Sequence, residues 1–167
     1  MKTVVNIAFS GSGLLYPTFL GTLQCLEDNN IQIAEVSGTS GGSIVAAAFA
    51  SGLSARSSMI DVVKNSLPFW NWLIDPSIRI FKNLGLIKGN KIQAVLAKNF
   101  VATLGDAQIP LHITITNISA HKARVLSSLT DPTFSTALAV RTSIAVPFVF
   151  APTIINGEAH LDGGTYS

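Results

Sequence analysis

One serine in this chain is framed for attack on a carbonyl. Residues 36–45 read Val-Ser-Gly-Thr-Ser-Gly-Gly-Ser-Ile-Val, which places Ser40 in the pattern Gly38-x-Ser40-x-Gly42. A strand is predicted over 33–37 and an Ala-rich helix over 44–50, so the pattern falls in a strand-to-helix turn. Such a nucleophile elbow is sharp and strained, and it needs small neighbours because a side chain there would strike the strand or the helix. It would also set Ser40 at a helix N-terminus, where free N–H groups and the helix dipole favour developing negative charge. A plain Gly-rich turn would carry the same letters.

Acyl transfer needs a base and oxyanion donors beside the nucleophile, since a hydroxyl is a weak nucleophile at neutral pH. Asp162 is the candidate base. It ends a predicted strand and is followed by Gly163 and Gly164, which let the backbone turn close beside another loop. Asp-Gly-Gly is equally an ordinary turn sequence, and spacing alone does not choose between the two. The amides of Gly11, Ser12 and Gly13, with that of Gly41, are candidate oxyanion donors, because successive N–H groups in a Gly-rich turn form an anion nest. Gly11-x-Gly13 after a strand is also how a dinucleotide fingerprint opens. Tyr16 stands where its third glycine would fall, however, and no Gly-Lys-Ser/Thr follows. His160 precedes Asp162 by two, so on a strand both face the same way and a Ser-His-Asp triad is conceivable beside a merely packed histidine. His112 and His121 share no ligand spacing with another His or Cys.

The elements that must position these residues follow from the pattern. A buried strand is predicted over 3–9, then a turn over 10–13. A helix opens at Tyr16-Pro17, carries Phe19, Leu20, Leu23 and Leu26 at helical spacing, and ends at Asn29-Asn30. A second strand over 31–37 completes a βαβ unit, which makes the two strands parallel. Ser54 reads as the N-cap of a helix to 64, and a short helical piece follows Asp75-Pro76 to about 84. Asn90 caps a longer helix predicted to reach Leu104. Strands over 111–118 and 124–128 form a hairpin, a helix covers 135–143, and strands over 153–155 and 158–161 flank Asn156-Gly157, a strong two-residue hairpin signal.

Composition bounds the class. At 167 residues the chain reads as one domain, 1–167, with room for a core; 48% hydrophobic and 12% charged residues exclude disorder. A net charge of +2 without a basic stripe predicts no nucleic-acid partner. The single cysteine, Cys25, excludes an intrachain disulfide framework and is expected to be a buried small hydrophobe. No run reaches the roughly 18 apolar residues of a membrane span. The short apolar stretch after Met1-Lys2 is interrupted by Asn6 and reads as a first strand rather than a signal peptide.

Taken together and in order, three motifs resemble the patatin-like phospholipases: Phe9-Ser10-Gly11-Ser12-Gly13, the elbow Gly38-Thr39-Ser40-Gly41-Gly42, and Asp162-Gly163-Gly164. The stretch Arg141-Thr142-Ser143-Ile144-Ala145-Val146-Pro147-Phe148-Val149-Phe150 resembles the segment that leads to that family's aspartate. The resemblance runs from about residue 3 to 164 and is poor over 54–109. It implies a three-layer α/β/α fold with a mostly parallel central sheet. It also implies a lipid acyl hydrolase with a Ser40–Asp162 dyad, a Gly11–Gly13 oxyanion loop, and neither metal nor cofactor. Two departures stand out. The middle glycine of the loop is Ser12, whose amide can still donate, and the usual basic residue two positions beyond the loop is Leu15, which bears on head-group preference. The family's fold also continues past Asp-Gly-Gly, so the chain is expected to be a fragment or a short member.

The implied substrate is a phospholipid or another acyl lipid, handled by a cytoplasmic or peripheral-membrane protein, with export by a route lacking a signal peptide left open. Phe69, Trp70 and Trp72, bracketed by Pro68 and Pro76, are candidates for a membrane-surface contact or for a packed connector. Two other classes compete: a lipid-binding module that keeps the fold without catalysis, and a nucleotide-binding α/β domain.

Overall fold

The computed structural model describes residues 3–54 and 85–165. The chain starts with strand β1 (Val4–Phe9), a 3-10 turn at Gly13–Leu15, helix α1 (Thr18–Asp28) and strand β2 (Gln32–Thr39). Pro17 caps α1, and β1 pairs with β2 in parallel, as a βαβ unit requires. Helix α2 (Gly41–Ala50) follows directly. The helices predicted over 54–64 and 76–84, and the aromatic residues Phe69, Trp70 and Trp72, lie outside the described residues.

The chain resumes with β3 (Gly85–Ile87), α3 (Asn90–Asn99), β4 (Leu111–Asn117) and β5 (Lys122–Ser127). It continues through α4 (Thr136–Ser143), β6 (Phe148–Phe150), β7 (Thr153–Ile155) and β8 (Glu158–Asp162). Its neck is closed: Gln108 N–H donates to the Ala50 carbonyl at 2.8 Å and Val101 N–H to Ser51 Oγ at 3.1 Å.

Strand β4 organises the central sheet. Along one edge it takes β2 in parallel, with Val36 opposite Leu111 through to Thr39 opposite Thr114. On the next rungs it takes β8 antiparallel, with Asp162 opposite Ile115 and His160 opposite Asn117. β5 pairs antiparallel along His112 to Asn117, overlapping both stretches, and therefore occupies the other edge. β2 and β8 thus share one edge of β4 and meet there end to end. The parallel order covers β1, β2 and β4, while the two hairpins foreseen from the sequence and the β4–β8 pairing are antiparallel. The architecture is mixed α/β, a central sheet flanked by helices.

Helices α2 and α4 lie against β4 and against each other. Between them and the sheet sit Val36, Leu111, Ile113, Ile115, Val140 and the alanines of α2, all fully or almost fully buried. Each branched side chain so buried contributes about 1.5–3 kcal/mol. The alanines let α2 approach the sheet closely, which the elbow that precedes it requires. In the β7–β8 hairpin, Asn156 and Gly157 adopt φ of 53° and 83°, the two left-handed residues of a type I′ turn.

Three local readings are corrected and one pairing was not foreseen. Cys25 is exposed on the outer side of α1, because it lies two residues from the fully buried Leu23 and such positions do not share a helix face. α3 stops at Asn99 rather than 104: Phe100 turns extended (φ −106°, ψ 162°) while still burying its ring, so its apolar character mimicked helical spacing. Gly89, with φ 80°, rather than Asn90, is the residue that enters that helix. Finally, β3 and β6 form a small parallel two-stranded sheet too short to show an alternating pattern.

Candidate active site

Ser40 occupies the junction of β2 and α2 with φ 51° and ψ −129°, a left-handed backbone that costs a non-glycine residue about 1–3 kcal/mol. The neighbouring glycines make this turn possible by their size. A Cβ on Gly38 would lie 2.6 Å from the Gly42 carbonyl oxygen and 2.6 Å from Ser43 Cα. One on Gly42 would strike the carbonyls of Phe9 and Ser10 at the end of β1. Hydrogen bonds hold what sterics permit. The Ser40 carbonyl accepts from Ser43 Oγ at 2.6 Å and from Ser43 N–H at 2.9 Å. The Ser40 N–H donates to Ser143 Oγ at 2.9 Å, and that hydroxyl donates in turn to the Thr114 carbonyl at 2.7 Å.

Asp162 arrives from the opposite direction at the end of β8. Ser40 Oγ donates to Asp162 Oδ2 at 2.6 Å, across 122 residues of sequence. The other carboxylate oxygen accepts the Gly164 N–H at 2.8 Å, and the Asp162 N–H donates to the Ala145 carbonyl at 3.0 Å. Gly163 makes this approach possible, since a Cβ there would run into the carbonyl of Thr114. Ser40 and Asp162 are 7% and 5% exposed. Burial pushes the Asp162 carboxyl above the usual range, opposed by the hydrogen bonds from Ser40 and from the Gly164 amide. A hydroxyl already donating to a carboxylate held this way can transfer its proton along that bond as it attacks.

The Gly11–Ser12–Gly13 loop lies over the first turn of α2. A Cβ on Gly41 would be 2.6 Å from the Gly13 carbonyl and 2.8 Å from Ser12 Oγ, and one on Gly11 would sit 3.6 Å from Ser40 Cβ. The amides of Gly11, Ser12, Gly13 and Gly41 have no acceptor among the described residues. Beside them opens a cleft of about 590 Å³ lined by Ser10, Gly11, Thr39, Thr114 and Gly163–Gly164.

His160 is fully buried, with Nδ1 3.1 Å from the Glu158 carbonyl and no partner for Nε2 among the described residues. It shares a strand with Asp162 but not a hydrogen bond, and the Ser40 hydroxyl is engaged by the carboxylate itself. His112 Nε2 lies 2.8 Å from Glu35 Oε1, and His121 is exposed. Among the described residues no three His, Cys, Asp or Glu side chains gather as a metal site requires, and no helix is long and apolar enough to cross a membrane. Sequence reading gave no role to Ser143. Its only trace there was membership of the Arg141–Phe150 stretch, and nothing local reveals that its hydroxyl bridges two distant backbones.

The family model described as "Patatin-like phospholipase" matches residues 7–167, almost the whole chain. The chain belongs to the patatin-like phospholipase family. Two curated relatives are each 27% identical to it. One is uncharacterized protein R571 of Acanthamoeba polyphaga mimivirus, matched over 96% of this chain and 58% of its own. The other is uncharacterized protein YqhO of Bacillus subtilis (strain 168), matched over 98% and 64%. The patatin-like chain described here therefore spans less than two thirds of either relative. Among solved structures, VipD from Legionella pneumophila matches 99% of this chain and 46% of its own with a TM-score of 0.66 at 18% identity. The type III effector protein ExoU matches 83% and 39% with a TM-score of 0.54 at 17% identity. Both likenesses are of fold.

Proposed function

We propose that this domain hydrolyses carboxylic esters of lipids through a serine acyl-enzyme, with Ser40 as nucleophile and Asp162 as its base. The observation that carries the reading is the 2.6 Å hydrogen bond from Ser40 Oγ to Asp162 Oδ2 at a strained elbow, beside amides that have no acceptor among the described residues. As Ser40 Oγ bonds to the acyl carbon, its proton passes to Asp162 Oδ2. The carbonyl oxygen becomes an oxyanion, for which the amides of Gly11, Ser12, Gly13 and Gly41 are the available donors; one such donor is worth about 3 kcal/mol of barrier. Collapse breaks the ester bond, and the alcohol leaves with the proton from Asp162. Water then attacks the acyl-enzyme, giving its proton to the same carboxylate, and fatty acid departs as Ser40 recovers its hydrogen.

Membership of the family supports a lipid hydrolase, with a phospholipid or another acyl lipid as the substrate class. The test is hydrolysis of a short p-nitrophenyl ester and of phospholipid in vesicles, comparing the parent with Ser40→Ala. Activity abolished in the folded variant is expected. A parent that binds lipid yet turns over neither substrate would mark a binding module that keeps the fold.

A further inference from the structure

We infer that the rim of this site docks onto the surface of an anionic phospholipid bilayer through two apolar segments that leave the dyad on either side, an inference that rests on the lipid-hydrolase reading. The first segment is the 3-10 turn Gly13–Leu15. Gly13 lies against Gly41, and the next two residues, Leu14 and Leu15, are 64% and 69% exposed. The second starts at Ala145, whose carbonyl holds the Asp162 N–H, and carries Val146, Phe148 and Val149, all exposed. Strand β3, paired beside Phe148, adds the exposed Leu86.

Isolated apolar residues on a surface need no explanation, but these lie within four residues of the backbone contacts that hold Ser40 and Asp162, or pair directly with that stretch. Phe148 is the sharpest case. Its ring is 81% exposed, and its φ of 67° is a left-handed backbone that costs a bulky residue about 1–3 kcal/mol. A bilayer interface takes up such rings favourably.

Charge selects the kind of lipid. The segments 10–18, 85–91 and 141–151 contain no Asp or Glu, and they carry Lys88, Lys91 and Arg141. Arg141 is buried, donating to the Ala151 carbonyl at 2.9 Å and standing over the Phe150 ring, and the exposed Lys88 is the basic side chain beside the apolar residues that meets head groups. Apolar segments with a basic neighbour and no carboxylate of their own match a negatively charged membrane surface.

The test separates docking from catalysis. Cosedimentation is measured in the Ser40→Ala background with vesicles of phosphatidylcholine, with and without phosphatidylglycerol. Hydrolysis of a dissolved monomeric p-nitrophenyl ester is measured with Ser40 intact. The parent should bind, more strongly with phosphatidylglycerol. Leu14→Ser and, separately, Phe148→Ser should each lower partition at least about tenfold, as burial of one large apolar side chain implies. Hydrolysis of the dissolved ester should stay within about twofold of the parent's. Val4→Ser, at the far end of β1, should leave binding unchanged. Failure of the parent to bind, or rim variants that bind as the parent or only as weakly as Val4→Ser, would overturn the docking surface. Vesicle binding that behaves as expected in a protein without esterase activity would keep it and remove the hydrolytic reading alone.

Discussion

Ser143 holds Ser40 by the backbone: the Ser40 N–H donates to Ser143 Oγ at 2.9 Å, which keeps the strained elbow from relaxing. Two residues further on, the Ala145 carbonyl takes the Asp162 N–H at 3.0 Å. One turn at the end of α4 therefore sets the positions of both Ser40 and Asp162, touching neither side chain. Ser143→Ala should leave the Ser40 N–H and the Thr114 carbonyl without their partner, a loss of about 1–3 kcal/mol in stability. It should lower kcat about tenfold with KM little changed, since the elbow can relax away from Asp162. Kinetics at a temperature well below the melting point check this, and an unchanged kcat would reduce Ser143 to a structural role.

Asp162 makes a second, two-sided prediction. Its folded pKa is raised, chiefly by burial, so the acid limb of kcat/KM should lie above the ordinary aspartate value of about 3.9. The sign for stability follows from proton binding. Between the unfolded and the raised folded pKa the native state holds more protons, so this group's contribution to stability falls as pH rises through that window. Above it the buried charge is a standing cost. Asp162→Asn at pH 7 should melt at or above the parent temperature while losing at least about 10²-fold in kcat. Thermal melts and steady-state kinetics on the same preparations decide the matter, and a fully active Asp162→Asn would remove the carboxylate from the mechanism.

His160→Asn separates dyad from triad. Asparagine can keep a polar atom near the Glu158 carbonyl now contacted by Nδ1 while deleting the imidazole. A dyad should retain kcat within about tenfold, whereas a catalytic histidine should leave a protein about as inactive as Ser40→Ala. Circular dichroism first establishes that the variant folds, because this side chain is fully buried.

Gly42→Ala tests the steric basis of the elbow. Its Cβ would meet the carbonyls of Phe9 and Ser10, and backbone cannot swing aside as a side chain can. A stability loss of about 1–3 kcal/mol, typical of overpacking, should appear as a lower melting temperature. An unaffected melt would mean that β1 and α2 can separate at no cost.

Much of this arrangement was legible because it is demanded locally. Gly38 and Gly42 announce a turn that admits no side chain, and Asn156-Gly157 announces two left-handed residues in a hairpin; neither depends on the rest of the chain. Ser40 and the Gly11–Gly13 loop were picked out by such local signs, and Asp162, which spacing left open, by the ordered resemblance of the three motifs; they lie together in the fold. What was hidden depends on where distant segments meet. Ser143 looks like any helix-end serine until Ser40 and Thr114 are placed on either side of it. The boundary of α3 was misplaced because Phe100 serves the core equally well from an extended backbone. The β3–β6 pair, three residues each, is too short to leave a period.

The closed neck at Ala50 and Gln108 has a consequence for how such a domain can diversify. With the Gln108 N–H on the Ala50 carbonyl, chain that leaves the sheet region after α2 is returned to the same point before β4 begins. Ser40, Asp162 and Ser143 stand at the ends of β2, β8 and α4, all outside that excursion. Lengthening a connection whose ends are already fixed costs little, about 0.6 kcal/mol per doubling of its length. New sequence can therefore be grafted between these two anchors while Ser40 and Asp162 keep their spacing.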